Sequence, residues 1–160
     1  MQIREILDTS RMVMGLTGGS KREVLEQLAA PIAGSRGDLA ESDLTEALLK
    51  REEDSTTAIA DGIAMPHGRL PLAGEPDDVL ASFGVSSEGV DFESVDGGPT
   101  HIFFVLVSPD KHPSLHLRWI AHFALLLKSA DLRKALVAAP NADDALAAIE
   151  DAEQALSQSP

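Results

Sequence analysis

The chain has 160 residues, 44% of them hydrophobic, with no cysteine, 26 acidic side chains against 13 basic ones and a net charge of −13. Length and apolar content suffice for one compact domain with a full core, and the missing thiols exclude a disulfide framework, a thiolate nucleophile and zinc sites built on cysteine spacing. The acidic balance argues against nucleic acid and points to a basic protein surface as the partner; no apolar run reaches the ~18 residues of a membrane span, so a soluble, cytoplasmic protein without membrane insertion is expected.

In chain order, Met12-Val13-Met14-Gly15-Leu16 reads as a strand. Ser20-Lys21-Arg22-Glu23 has the spacing of a capping box, and Val24, Leu25, Leu28, Ala29 and Ile32 follow at helical spacing, which predicts a helix from Ser20 to near Gly34. A second helix begins near Ser42, turns Leu44, Leu48 and Leu49 inward and runs out between Arg51 and Asp54. Arg51 therefore sits at a helix C-terminus, where a cation is favoured with or without a function. Ile63-Ala64-Met65 predicts a short strand that stops at His67, because Pro66 has no amide hydrogen and pushes Met65 into an extended conformation. Gly68 adds no Cβ, which leaves the imidazole approachable at a strand exit.

Leu72 to Asp78 reads as a loop, Val79 to Val85 as a strand, Gly89-Val90-Asp91-Phe92 as a short extended piece and Asp96-Gly97-Gly98-Pro99 as a turn. Ile102-Phe103-Phe104-Val105-Leu106-Val107 has the composition of a central strand covered on both faces. Pro113 opens a long helix whose buried stripe is Leu115, Trp119, Ile120, Phe123, Leu126 and Leu127, and Ser129 and Asn141 are placed as N-caps of two more helices. The last of these, 141–157, holds Asp143, Asp144, Glu150, Asp151 and Glu153 and no Lys or Arg. The expected fold class is α/β, a single domain in which helices cover a β-sheet.

The stretch from Arg51 to Gly68 carries the chemistry. Arg51-Glu52, Thr56-Thr57, Ile59, Gly62, Ile63, Ala64, Met65, Pro66, His67 and Gly68 together closely resemble the phosphorylation-site signature of the enzyme IIA proteins of the fructose, mannitol and nitrogen-related phosphotransferase systems. The resemblance extends from about Ser20 to Leu136. It implies a mixed β-sheet flanked by helices, a single such domain over 1–160, and a phosphocarrier that needs neither a metal nor an organic cofactor. Its implied partners are an HPr-like phosphocarrier protein as donor and an enzyme IIB or a regulatory target as recipient. Ser55 and Ala58 stand where many relatives have glycine.

Phosphoryl transfer needs an unprotonated nucleophile, an in-line path, and cations or donors around the equatorial oxygens. His67 is the implied nucleophile; Arg51 matches the family's arginine beside the phosphohistidine, and a guanidinium fork suits phosphate oxygens. His116, in Leu115-His116-Leu117-Arg118-Trp119, is by position either a satisfied core histidine or a catalytic one. The resemblance assigns it as the second active-site histidine, donating a ring N–H or orienting His67. Thr56 and Thr57 either donate to phosphoryl oxygens or cap a turn, and Arg69 is either a further phosphoryl-binding cation or a solvated charge. His112 and His116 have a His-x-x-x-His spacing but lack a third ligand and the HExxH glutamate, so no metal site is assigned. Three functions stay open: a carrier handing phosphate to a sugar permease, a regulator whose phosphorylation state sets its affinity for targets, and an unphosphorylated module related to cytoplasmic anion-transporter domains. The intact Pro-His-Gly weakens the last, and the lack of fused IIB, IIC or HPr segments favours the second over the first.

Overall fold

Alternation along one strand organises the molecule. In the computed structural model, which describes residues 1–72 and 78–159, β5 (Thr100–Pro109) sends Ile102, Phe104 and Leu106 to one face and Phe103, Val105 and Val107 to the other, and all six are buried. A period-two strand with both faces apolar requires helices on both sides. α1 (Lys21–Gly34) and α2 (Glu41–Asp54) cover the face of Phe103, Val105 and Val107. α3 (Pro113–Leu126), α4 (Ala130–Ala138) and α5 (Ala142–Gln158) cover the other, where Phe83, Phe104, Trp119 and Phe123 meet. The fold class is thus the one expected: a mixed α/β domain.

β1 (Met12–Met14) pairs in parallel with β4 (Leu80–Val90), β4 pairs antiparallel with β5, and the other side of β5 takes β2 (Ile63–Ala64) and β3 (His67–Leu70), both in parallel. Two expectations about strands need correction. The chain does not leave the sheet at His67: β2 and β3 run end to end along β5 in one register, Ala64 opposite Phe103 and His67 opposite Leu106, with Met65-Pro66 as a gap in the ladder. Proline interrupts the hydrogen bonding, yet its carbonyl still accepts from the Leu106 amide at 3.0 Å, which holds the strand in register across the gap. Likewise Gly89-Val90 is no separate piece but the far end of β4, rejoined after an irregularity in which Gly89 takes φ +84° and its amide donates to the Ser86 hydroxyl.

The caps follow the expected chemistry. Ser20, Ser129 and Asn141 each accept from the amide three residues on. The Glu23 carboxylate of the expected capping box accepts from the Gly19 amide. α2 starts at Glu41, one residue before Ser42, with Ala40 ahead of it and no side-chain cap. α1 packs tightly on the sheet because Gly84 has no side chain: a Cβ there would fall 2.4 Å from Leu16 and 2.8 Å from Leu28. The acidic C-terminal helix packs as well. Ala145, Leu146 and Ile149 enter the core, and Glu153 accepts the Ile3 amide at 2.9 Å and meets His122 at 2.6 Å, tying α5 to the N-terminal turn and to α3. No helix among the described residues is long and apolar enough to cross a membrane. The loop expected at 72–78 falls mainly on 73–77, outside the described residues.

Candidate functional site

The register of β3 decides where its side chains point. His67 lies opposite Leu106 and Arg69 opposite Ser108, so both take the face of β5 that α3 covers, whereas Gly68, opposite Val107, faces α2. Among the described residues no strand pairs with the outer side of β3, and over that open edge lies a groove of about 680 Å³ between α2 and α3, lined by Arg51, His67, Arg69 and His116 among others. Residues far apart in the chain, Arg51, His67, Arg69 and His116, thus converge. Gly68 does not act as expected: a Cβ there would point at Leu48 in ordinary contact at 3.7 Å, so the opening beside His67 comes from the free sheet edge.

His67 is half-buried, and its Nδ1 lies 2.8 Å from the Met65 carbonyl. A carbonyl only accepts, so Nδ1 carries the proton and the lone pair of the neutral ring is on Nε2. Burial, aided by the Arg51 guanidinium, pulls the pKa of His67 below its ordinary 6.5, against the opposing pull of the Met65 carbonyl and Glu52. His116 is only 5% exposed, its ring centroid 5.3 Å from that of His67 in an edge-on arrangement. Burial, then the neighbouring His67, Arg69 and Arg51, push its pKa down to about 4, so it is neutral at pH 7. Arg51, in the last turn of α2, donates from Nη1 to the Ser55 carbonyl at 3.0 Å, which anchors the guanidinium at the groove wall.

The two threonines are placed differently. Thr56 Oγ1 donates to the Phe92 carbonyl at 3.1 Å and accepts from the Ala58 amide; Thr57 donates to the Glu52 carboxylate at 2.7 Å. Both hydroxyls are engaged in the loop, and neither residue lines the groove. Glu52, 5% exposed, also accepts the Thr57 amide at 2.8 Å and pairs with Lys21 at 3.2 Å. Thr57 then passes the constraint on: its carbonyl accepts the Met65 amide, and the Met65 carbonyl holds His67. Replacing Glu52 by alanine would strand the buried Thr57 amide and hydroxyl and leave Lys21 with Glu93 alone, and a loss of about 3 kcal/mol of stability in urea unfolding is expected. A loss under about 1 kcal/mol would remove Glu52 from this role.

Lys50, Asp54 and Asp110 also line the groove, though nothing in the sequence singled them out. Lys50 and Asp54 lie one turn of α2 apart, and the spacing of Asp54 three residues after Arg51 was the only signal. Leu117 and Ile120 add an apolar rim, Leu117 with 64% of its surface exposed. His101 and His122 stand elsewhere, bonded to the Ser86 carbonyl and to Glu153.

The sequence profile described as "Phosphoenolpyruvate-dependent sugar phosphotransferase system, EIIA 2" matches residues 5–152. The chain belongs to this family of enzyme IIA proteins. Within it, the chain is 34% identical over 142 residues to a nitrogen regulatory protein of Bradyrhizobium diazoefficiens, covering 89% of this chain and 90% of that one. It is also 31% identical over 145 residues to the fructose-specific EIIABC component of Bacillus subtilis, covering 89% of this chain but 22% of that longer protein. Among solved structures, nitrogen regulatory protein IIA-Ntr of Neisseria meningitidis superposes with a TM-score of 0.84 at 27% identity, over 92% of this chain and 98% of that one. The mannitol IIA of Escherichia coli, solved in complex with phosphorylated IIB, shares the fold at 18% identity with a TM-score of 0.73.

Proposed function

We propose that this protein accepts a phosphoryl group on His67 from a phosphorylated HPr-like protein, and that the resulting phosphorylation state serves regulation or is passed to an enzyme IIB. The supporting observation is the groove in which a neutral, edge-accessible imidazole stands beside a second imidazole and two guanidinium groups. The Nε2 lone pair of His67 attacks phosphorus in line; the N–P bond to the donor's histidine breaks as the new one forms, and the donor ring leaves with the electron pair. Arg51 and Arg69 neutralise charge on the equatorial oxygens, and His116 offers its outward N–H as a neutral donor. The threonine hydroxyls, engaged within the loop, are left to hold it.

Similarity over almost the whole chain to nitrogen regulatory proteins supports the regulatory use over sugar transport. The cysteine-free composition and the charge of −13 suit a soluble carrier that meets basic protein surfaces in the cytoplasm. Incubating the purified protein with phosphoenolpyruvate, enzyme I and an HPr-like protein should give one equivalent of acid-labile phosphate. No uptake from any HPr-like donor would overturn the proposal in favour of an unphosphorylated binding module.

The lowered pKa sets the direction of the pH dependence. Only the neutral ring is nucleophilic, so competence is fully present above the folded pKa of His67 and is lost as pH falls through it; because that value lies below 6.5, His67 should remain reactive at a pH where an ordinary histidine is half protonated. An NMR titration of the His67 ring should have its midpoint under 6.5. A midpoint at or above 6.5 would contradict the burial argument.

A further inference from the structure

Ser108 stands on β5 opposite Arg69, fully buried, and its Oγ lies 2.5 Å from Nδ1 of His116. Alternation puts it there: Ile102, Phe104, Leu106 and Ser108 share the face under α3, and His116 is in the first turns of that helix. Ile102, Phe104 and Leu106 before it on this face are apolar, and unlike the buried hydroxyl of Thr100 at the start of the strand, that of Ser108 has a partner. We propose that Ser108 is a positioning residue that donates its hydroxyl hydrogen to His116 Nδ1, so that the ring is locked with its proton on Nε2, facing the groove.

The direction follows from what the hydroxyl can reach. A serine hydroxyl carries one hydrogen, and no other partner for Oγ is found among the described residues. If Nδ1 bore the proton, the ring would donate to Oγ and the hydroxyl hydrogen would be buried without an acceptor, a costly arrangement. If Nδ1 is the acceptor, the hydrogen is satisfied and only a spare oxygen lone pair is left over. The neutral ring then has a single N–H, on Nε2, which is the form that can donate to a phosphoryl oxygen. Hydrogen bonding to the neutral ring also disfavours its protonation, in the same direction as burial. Ser108 thereby supplies what an isolated buried histidine lacks: a fixed tautomer and a fixed ring orientation. The catalytic use of that N–H rests on the carrier reading above; the tautomer does not.

The test has two arms. In the ¹⁵N-labelled protein at pH 7, His116 should show an unprotonated Nδ1 with the shift of a hydrogen-bond acceptor and a protonated Nε2. In Ser108→Ala the Nδ1 signal should lose that hydrogen-bonded character, the titration midpoint of His116 should rise, and phosphoryl uptake should slow about tenfold, the scale of one lost hydrogen bond. Ser108→Thr, which keeps the hydroxyl, should restore all three. A protonated Nδ1 in the unaltered protein, or a Ser108→Ala protein with an unchanged His116 midpoint and uptake rate, would overturn the assignment. The ¹⁵N arm uses no phosphate donor, so its failure strikes the Ser108 assignment alone, whereas an unaltered protein that takes up no phosphate strikes the carrier reading and leaves the hydrogen bond standing.

Discussion

Replacing His67 by alanine should abolish phosphoryl uptake while leaving a folded protein. The side chain is half-buried and hydrogen-bonds the Met65 carbonyl, so its removal costs the fold about 1 kcal/mol. The effect on chemistry is of another order, because the second imidazole of the groove is not placed to take over as nucleophile. His116 is the nearest imidazole, but its ring is only 5% exposed and its Nδ1 is engaged by Ser108. Uptake should fall below detection, and circular dichroism and urea unfolding should remain close to those of the unaltered protein. Residual acid-labile phosphate in His67→Ala would mean that another histidine is the acceptor, with His101, His112 and His122 then open to the same substitution.

Arg51→Ala and His116→Ala should each slow uptake by about 10² to 10³, the usual result of deleting one preorganised donor from a site where charge develops. The two act differently. The Arg51 guanidinium brings charge and a planar fork, so lysine in its place should recover part of the rate and lose the bidentate fit. It also donates to the Ser55 carbonyl at the end of α2, and the alanine variant should therefore be slightly less stable. His116 contributes a neutral N–H, and its loss should be felt at every pH at which His67 is reactive. If the variant lacking both side chains transfers at the normal rate, both roles are wrong. Stopped-flow or quenched-flow uptake from a phosphorylated HPr-like donor separates these outcomes, with unfolding curves as the control.

Local rules and long-range pairing explain which features were legible beforehand. Ser20, Ser129 and Asn141 cap helices through contacts three residues away, so composition and spacing were enough. The run Ile102–Val107 announced a doubly covered strand because both faces of the alternation are apolar. Arg51, His67 and His116 were found through the signature and the helix register, and the groove brings them together with Arg69. Less visible was everything set by the register of β3 on β5. Pro66 looked like a stop, and only the continued pairing with Leu106 through Pro109 makes it a gap within one strand. That pairing also turns Gly68 towards Leu48 and places Ser108 under His116. Thr56 and Thr57 had hydroxyls suited to phosphate, but the buried Glu52 and the Phe92 carbonyl, two residues past the end of β4 and far along the chain, engage them first. The acidic tail looked like a solubility device, yet its apolar positions are spaced to meet α4 and the N-terminal turn, and Glu153 closes the contact.

A ¹⁵N–³¹P correlation spectrum of the phosphorylated, ¹⁵N-labelled protein addresses the reading most directly. Because Nδ1 of His67 donates to the Met65 carbonyl, the phosphorus should couple to Nε2 of that ring while Nδ1 keeps its proton. Phosphorus on Nδ1 of His67, or on any other side chain, would contradict it.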